Sequence, residues 1–282
     1  MLLKEVKMLP VLKWVGGKRQ MLNYITKLIP REFDAYFEPF VGAGAVLLEL
    51  APNKAYLNDV NKDLIAVYES LKEEDQFVKL LKRLDHHQEK HNEAYYYDVR
   101  AIDRLDTYNA LEPYEKAARV IYLNKAGFNG LYRVNKKGYF NVPSGKKDSV
   151  KLYDVNNLKA IHNYLNTNSI HISSVDFIAA VAFAKTGDFV YFDPPYDPWD
   201  DKNSFTSYAK GDFNRDDQIR LFETFKRLSD QGVKVMLSNH NTNFIRELYK
   251  DYNIHIFPAK RVVNSNPNGR GNVEEVIITN YE

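Results

Sequence analysis

The chain has 282 residues, of which 44% are hydrophobic, which is enough to bury one large core that carries an insertion. It contains no cysteine, which excludes disulfide bonds, thiolate catalysis and cysteine-ligated metal sites. The formal net charge is only +2, but Lys125–Lys151 holds seven Lys or Arg residues and one acidic residue. This segment therefore carries a charge of +6 and the rest of the chain carries −4. Such an uneven distribution indicates an anionic partner that binds at one place on the protein.

Short apolar runs alternate with amphipathic stretches of helical spacing, which predicts an α/β fold. From Glu73 to Ala126 the pattern becomes helical, charged and rich in tyrosine, and 131–142 then has the alternation and glycine-bearing turn of a β-hairpin with a cationic tip. The predicted elements, in chain order, are a helix over 22–29, a strand over 35–40, a helix from 45, a strand over 54–59, a helix over 63–71, a helix over 155–165, strands over 169–173 and 189–192, a helix after Asn214, a strand over 233–237, a helix over 243–249 and strands over 254–257 and 273–279.

A short motif, Asp193-Pro194-Pro195-Tyr196, directly follows the buried strand predicted over 189–192. In open α/β sheets the carboxyl ends of the strands form the ligand crevice. Asp193 can accept a hydrogen bond, the prolines leave nearby carbonyls without competing N–H groups, and Tyr196 offers a ring face for stacking. This combination suits a flat base that carries an amino group, whereas a simple chain turn is the alternative.

The turn Gly42-Ala43-Gly44 follows another predicted strand, and such turns bring the backbone close to nucleotide-like ligands. Leu47 stands where a dinucleotide fingerprint has its third glycine, which argues against pyrophosphate and therefore against a nicotinamide-dependent oxidoreductase. Asp59, at the end of the next strand, is placed to accept hydrogen bonds from ribose hydroxyls. These features favour a nucleoside cofactor without phosphates, and the alternative is a turn with a helix-capping aspartate.

Near the N-terminus, Lys13-Trp14-Val15-Gly16-Gly17-Lys18 suits either closure over an adenosyl group or an ordinary loop before a helix. With the motifs above it forms an ordered series that resembles the Dam family of DNA adenine-N6 methyltransferases, and is most similar to the DpnII-type members that modify GATC. The resemblance spans nearly the whole chain. The motifs are Lys-Trp-x-Gly-Gly-Lys at 13–18, Phe-Glu-Pro-Phe-Val-Gly-x-Gly at 37–44, Asn-Asp-x-Asn at 58–61, Gly-Phe-Asn-Gly-Leu-Tyr-Arg at 127–133, Phe-Asn-Val-Pro at 140–143, Asp-Pro-Pro-Tyr at 193–196 and Ser-Asn-His at 238–240.

The resemblance implies a Rossmann-like S-adenosylmethionine-dependent methyltransferase fold with a mostly parallel seven-stranded sheet. Residues 1–72 and 155–282 would form the catalytic domain, and 73–154 would form an inserted helical and β-hairpin subdomain for DNA recognition. The implied reaction transfers a methyl group from S-adenosylmethionine to adenine N6 in double-stranded GATC DNA, without a metal. An RNA adenine-N6 methyltransferase and a non-catalytic DNA-binding protein remain alternatives.

The resemblance also implies a biological setting. We expect a monomer that protects DNA within a restriction-modification system, paired in function with a GATC endonuclease but forming no stable complex with it. Charged residues interrupt the apolar character of the first ten residues, so we expect no signal peptide or membrane span, and a cytoplasmic location.

Roles carry over from the family residue by residue. The target adenine, extruded from the duplex, would stack on Tyr196 while its N6 donates hydrogen bonds to the Asp193 carboxylate and the Pro194 carbonyl. S-adenosylmethionine would be held by Trp14, Lys18, Phe40, Gly42, Gly44, Asp59, Asp176, Phe177 and Asp193. DNA would be contacted by Lys13, Asn129, Arg133, Lys146 and Arg270. Two aromatic residues, Phe205 and Tyr208, lie in a loop that relatives place against DNA, and a hydrophobic lid is the alternative for them.

Four histidines need a separate interpretation. His86, His87 and His91 recur at helical spacing in the insertion, and we interpret them as a solvated helix face and not as a metal site. His240 belongs to the Ser-Asn-His stretch and either shapes a base pocket or serves as a structural histidine.

Overall fold

The structure is a computed structural model that describes residues 7–14, 21–199, 213–260 and 272–282. Its sheet has seven strands in the order β3-β2-β1-β4-β5-β7-β6. The strands are β1 (Tyr36–Glu38), β2 (Lys54–Asn58), β3 (Ser169–Ser173), β4 (Phe189–Phe192), β5 (Lys234–His240), β6 (Asn253–Lys260) and β7 (Asn272–Thr279). β1 pairs in parallel with β2 and β4, and β4 with β5, whereas β7 runs antiparallel to β5 and β6. The predicted α/β fold with a mostly parallel, seven-stranded sheet is confirmed, and β3 and β4 have the predicted bounds.

Local capping residues set several helix starts. Asn61 accepts hydrogen bonds from the backbone N–H groups of Asp63 and Leu64, and Asn214 forms a capping box with Asp217. The helices are α1 (Leu22–Leu28), α2 (Ala45–Leu50), α3 (Lys62–Lys72), α4 (Glu74–Glu89), α5 (Glu93–Ala101), α6 (Pro113–Ala126), α7 (Val155–Thr167), α8 (Phe177–Ala180), α9 (Arg215–Asp230) and α10 (Asn243–Leu248), with 3-10 turns at Ile102–Arg104, Asp106–Ala110 and Phe128–Gly130. None of the helices in the described ranges is long and apolar enough to cross a membrane.

The chain divides into two compact units. Unit 1 comprises Met1–Lys18, Val41–Asn53 and Asp59–Ser174, and unit 2 comprises Arg19–Phe40, Lys54–Asn58 and Val175–Glu282. In unit 2, side chains at helical spacing on α9 pack into an apolar core with the fully buried residues of β4 and β5. The central members of this core are Val190, Phe192, Leu221, Phe225, Leu228, Val235 and Leu237.

The predicted hairpin over 131–142 lies in unit 1 and forms with little strand pairing. The chain reverses at Asn135–Gly138, where the Gly138 N–H donates to the Asn135 carbonyl at 2.8 Å and Gly138 has a φ of +83°. A single bridge between Val134 and Phe140 takes the place of a ladder. Other contacts must therefore fix this segment.

A buried ion pair is one of those contacts. The Asp103 carboxylate accepts a hydrogen bond from the Phe140 N–H at 2.7 Å, and it forms an ion pair with the Arg119 guanidinium at 2.8 Å. Both charged side chains are almost fully buried, and Arg119 also donates to the Val99 and Arg100 carbonyls. Because a buried charge needs partners, this ion pair ties the hairpin to the helices of unit 1.

The interpretation of the insertion histidines as a solvated face is wrong for His87, which is 2% exposed. His87 continues the buried face of α4 after Leu80 and Leu84, at i+7 and i+3. The Tyr95 hydroxyl lies 2.8 Å from its Nδ1, and its ring stacks on Tyr122 at 5.0 Å. Burial, and then the charges of neighbouring cations, lower the pKa of His87 to about 3. The described residues hold no group of three or more His, Asp or Glu that could bind a metal ion.

The pKa of His87 predicts a pH dependence of stability. Between about pH 6.5 and pH 3 the unfolded chain binds a proton at His87 that the folded chain does not, so stability is lost as the pH falls through this window. We expect His87→Gln to reduce the loss in the free energy of unfolding between pH 7 and pH 5 by about 2 kcal/mol, measured by urea denaturation. An exposed histidine on β3 gives the control, since His171→Gln leaves the surroundings of His87 intact and should keep the wild-type pH dependence. An unchanged pH dependence in His87→Gln would contradict the prediction.

Candidate active site

The glycine turn of unit 1 uses backbone conformations that favour glycine. Gly42 and Gly44 have φ values of +49° and +70°, and Gly44 is the residue before α2. The Tyr68 hydroxyl donates to the Gly42 carbonyl at 2.8 Å. A Cβ atom on Gly42 would lie 3.2 Å from the Trp14 indole, and Trp14 in turn packs on Tyr132 at 5.1 Å. The structure therefore brings together the predicted cofactor residues Trp14, Gly42 and Gly44.

Asp59 joins the same turn. One carboxylate oxygen accepts from the Gly42 N–H at 3.2 Å, and the other accepts from the Asn61 N–H at 2.9 Å. Burial raises the pKa of Asp59 above that of an ordinary aspartate, although these two N–H groups act in the opposite direction. The alternative of a helix-capping aspartate is wrong, because Asn61 caps α3. A carboxylate has about four acceptor positions, so the two N–H groups leave capacity for a ligand hydroxyl.

In unit 2, Phe40, Asp176 and Phe177 lie close together. The Phe40 and Phe177 rings are 5.5 Å apart, and the Asp176 side chain accepts from the Ile178 N–H at the start of α8. Arg220, which the sequence did not single out, donates to Asp176 at 2.9 Å and lies over the Phe177 ring at 5.1 Å. No local pattern could have identified Arg220, since it lies 44 residues from Asp176.

The Asp193-Pro194-Pro195-Tyr196 motif begins immediately after β4 ends. Asp193 and Tyr196 are half-buried, Pro194 is buried and Pro195 is exposed. Burial, and then the negative charge of Asp193, raise the pKa of Tyr196 well above its ordinary value. Asp193 acts in the same direction on the pKa of the fully buried Tyr191. Asp193 therefore acts electrostatically on both phenols at the carboxyl end of β4.

Buried amides hold the backbone of this motif. Gln218 on α9 donates to the Pro195 carbonyl at 2.8 Å and accepts from Asn239 at 3.1 Å. The Asn239 side chain, which is fully buried, also accepts from the Asp197 N–H at 2.9 Å. Backbone groups on both sides of Tyr196 are thus fixed by side chains that come from α9 and β5.

Asp197, the residue after the motif, is itself a buried anchor. Its carboxylate accepts from Arg215 at 3.0 Å and from the Thr242 hydroxyl at 2.7 Å. Its carbonyl lies 2.8 Å from His240 Nδ1, and because a carbonyl only accepts, Nδ1 is the donor. The His240 ring meets Tyr196 edge-on at 4.8 Å. His240 therefore has the structural role that the sequence left open, whereas its role in a base pocket stays a prediction, to which the ring contact with Tyr196 gives a place.

The DNA-recognition candidates of unit 1 are exposed but well anchored. The side chain of Asn124, which is 1% exposed, accepts from the Lys13 N–H at 2.9 Å and donates to the carbonyls of Lys13 and Gly130, each at 2.8 Å. Asn129, next to Gly130, has the left-handed φ of +53°. Asn124 thus holds the Lys13 backbone beside the Asn129–Gly130 turn, a contact that sequence reasoning missed.

Arg133 and Lys146 are also exposed in unit 1. Arg133 Nε donates to the Asn141 side chain at 2.7 Å, and its Nη2 donates to the Asn141 carbonyl at 3.3 Å. Lys146 has a φ of +51°, and its N–H donates to the Ser144 hydroxyl at 3.0 Å. The remaining predicted site residues lie outside the described residues, namely Lys18, Phe205, Tyr208 and Arg270.

The sheet and its motifs are consistent with a Rossmann-like methyltransferase, and comparisons with known proteins give the family. Residues 14–263 match the D12 class N6 adenine-specific DNA methyltransferases. The chain is 45% identical over 277 residues to the Type II methyltransferase M1.LlaDCHI of Lactococcus lactis subsp. cremoris, which covers 98% of this chain and 97% of that protein. It is 40% identical to the Type II methyltransferase M.MjaIII of Methanocaldococcus jannaschii, over 98% of this chain and 100% of that protein. It is 31% identical to the DNA adenine methylase of Escherichia coli (strain K12), over 94% and 93%.

The chain belongs to the D12 class N6 adenine-specific DNA methyltransferase family. It is a DNA adenine methyltransferase, and S-adenosylmethionine is the methyl donor that this membership implies. The match confirms the predicted class of enzyme and sets aside the nicotinamide-dependent oxidoreductase.

The geometry of the glycine turn makes a prediction about stability. A Cβ on Gly44 would lie 2.7 Å from the Tyr68 hydroxyl, in addition to the strain of a positive φ. We expect Gly44→Ala to lower the free energy of unfolding by about 2–4 kcal/mol in urea denaturation. Gly138 is the matched control, because it has a φ of +83° with open space around it, so Gly138→Ala should lose only about 1 kcal/mol. Equal losses would show that Tyr68 does not constrain the turn.

Proposed function

We propose that this DNA adenine methyltransferase modifies the adenine of GATC in double-stranded DNA, as do the DpnII-type enzymes that its motifs resemble. The observation that carries the proposal is the orientation of Arg133. Asn141 holds the guanidinium at two of its nitrogens while the side chain remains exposed. A guanidinium fork fixed in this way suits the O6 and N7 atoms of guanine in the major groove.

Residues 73–154 would form the target-recognition region within the catalytic chain. Lys13 and Asn129 would reach base edges together with Arg133, since Asn124 holds the backbone of Lys13 beside that of Gly130, the residue after Asn129. Lys146 and Arg270 would contact phosphates or bases. Contacts to phosphates position the protein, whereas contacts to base edges specify the sequence.

The catalytic step would take place at Asp193, Pro194 and Tyr196. The target adenine would leave the duplex and stack on Tyr196, which is half-buried. Its N6 amino group would donate to the Asp193 carboxylate and to the Pro194 carbonyl. These acceptors would turn the nitrogen lone pair toward the methyl group, so that rate enhancement comes from positioning and electrostatics.

The donor residues fit S-adenosylmethionine, which supplies an electrophilic methyl group when it is bound. The glycine turn takes left-handed backbone conformations at Gly42 and Gly44, and Asp59 keeps acceptor capacity for ribose hydroxyls. Phe40 and Phe177, whose rings are 5.5 Å apart, would present aromatic rings to the adenine of S-adenosylmethionine. Trp14, Lys18, Gly42, Gly44, Asp176 and Asp193 would complete the set. No residue of this set requires a metal.

The biological role would be protection of DNA against a companion endonuclease. Two relatives at 45% and 40% identity are named Type II methyltransferases, which supports this setting. We propose that the enzyme acts as a monomer in the cytoplasm and shares its target site with the endonuclease without forming a stable complex.

Duplex substrates test the proposed specificity. Purified protein with a labelled methyl donor should label a duplex that contains GATC and should leave a duplex with the same bases scrambled unlabelled. Asp193→Ala should lower the rate on GATC by about 100-fold or more, because it removes an acceptor that acts on the reacting nitrogen. A wild-type melting midpoint in the variant would exclude misfolding. Equal labelling of the two duplexes would overturn the GATC assignment, and no labelling would overturn the activity.

Arg133 provides a second test. Lysine has one point donor in place of a fork, so Arg133→Lys should lower kcat/KM on GATC by about tenfold or more and relax discrimination at a single base position. The measurement is methylation of duplexes that carry each single substitution of the site. Arg31→Lys, at an exposed position of unit 2, is the matched control and should leave kcat/KM unchanged. Unchanged discrimination in Arg133→Lys would argue against guanine readout by this residue.

A further inference from the structure

Tyr196 is held at its hydroxyl as well as along its backbone. The phenol donates to a carboxylate oxygen of Glu275 on β7 at 3.2 Å. Glu275 belongs to none of the motifs that carry the family resemblance. The hydrogen bond of Glu275 links Tyr196, which would receive the target base, to the face of the sheet opposite α9.

The two restraints on the Tyr196 ring come from one position of the sheet. His240 and Glu275 are directly paired in the antiparallel register of β5 and β7. Directly opposed residues of such a pair project from the same face of a sheet. The His240 ring meets Tyr196 edge-on at an interplanar angle of 76°, while Glu275 accepts the hydroxyl proton. His240 therefore contacts the ring of Tyr196, and Glu275 contacts its hydroxyl group.

The electrostatic surroundings keep this hydrogen bond in one direction. Burial, Asp193, Tyr191 and Glu275 all raise the pKa of Tyr196. The phenol is consequently protonated at neutral pH and acts as the donor, and Glu275 acts as the acceptor. Hydrogen bonds to a charged acceptor are stronger than those between neutral groups.

We propose that Glu275 is a positioning residue for methyl transfer, which fixes the tilt of the Tyr196 ring so that the extruded adenine stacks with its N6 at Asp193. This inference rests on the proposed role of Tyr196 as the stacking partner. Loss of the tether leaves the ring in place beside His240 but allows it to tilt. The rate of the methyl-transfer step then falls, whereas affinity for the DNA duplex, which other residues supply, does not change.

A double-mutant cycle tests the inference because both partners can be removed separately. Glu275→Ala and Tyr196→Phe should each lower the single-turnover rate of methyl transfer by about tenfold, and the double variant should show no further loss. Glu275→Gln retains an acceptor oxygen and should stay within about threefold of wild type. The dissociation constant for a GATC duplex should be unchanged in all four variants. A duplex with 2-aminopurine at the target position should show altered fluorescence in Glu275→Ala, because stacking on Tyr196 quenches the extruded base.

The neighbouring acid is the matched control. Glu274 is exposed, accepts from Asn241 and makes no contact with Tyr196 among the described residues, so Glu274→Ala should keep the wild-type rate. Wild-type rates in Glu275→Ala or in Tyr196→Phe would overturn the inference, as would losses that multiply to about 100-fold in the double variant. If Glu275→Ala does not fold, Tyr196→Phe and Glu275→Gln still decide the question.

A further variant separates this inference from the proposed function. Tyr196→Ala removes the ring itself. A wild-type rate in Tyr196→Ala would overturn the proposed stacking role and the inference with it. A severe loss in Tyr196→Ala together with a wild-type rate in Glu275→Ala would overturn the role of Glu275 alone.

Discussion

Buried polar groups must find hydrogen-bond partners, and this requirement shapes the end of β4, on which the catalytic motif depends. Asn239, which is fully buried, and Gln218 connect the Pro195 carbonyl to the Asp197 N–H, so that the backbone is held on both sides of Tyr196. Asp197 adds a buried carboxylate that Arg215 and a threonine satisfy. A network in which every member has a partner is rigid, and rigidity is what a reaction governed by positioning needs.

In unit 1, the exposed loops are likewise held by buried polar groups, namely one side-chain amide and one ion pair. The Asn124 side chain holds the Lys13 backbone and the Gly130 carbonyl, while Asp103 and Arg119 fix the hairpin at Phe140. The recognition candidates can therefore remain exposed on loops without losing their arrangement. Because strand pairing in the hairpin is reduced to one bridge, these buried polar contacts hold the hairpin in place, as a β-ladder would in a regular hairpin.

Asp59 illustrates a conflict between ligand binding and stability. Its pKa in the folded chain is raised, so its ionisation at neutral pH disfavours folding, and any stability that it contributes is present only at acidic pH. The N–H groups of Gly42 and Asn61 reduce this penalty and orient the carboxylate. A half-buried carboxylate of this kind lowers the stability of the protein without ligand, but it can accept hydrogen bonds from a ligand with adjacent hydroxyls. This agrees with the proposed place of Asp59 at the ribose.

The sequence by itself determined the strands and the order of the motifs, because periodicity and turn glycines act within a few residues. It also predicted a site at Asp193, Tyr196 and the glycine turn. Only the tertiary structure revealed Asn124, Gln218 and Glu275, since their hydrogen bonds to Lys13, Pro195 and Tyr196 span 23 to 111 residues of the chain and no local pattern encodes such contacts. His87 differs, because its spacing from Leu80 and Leu84 already marks the apolar face of α4, and the tyrosines of α5 and α6 that pack there complete its burial.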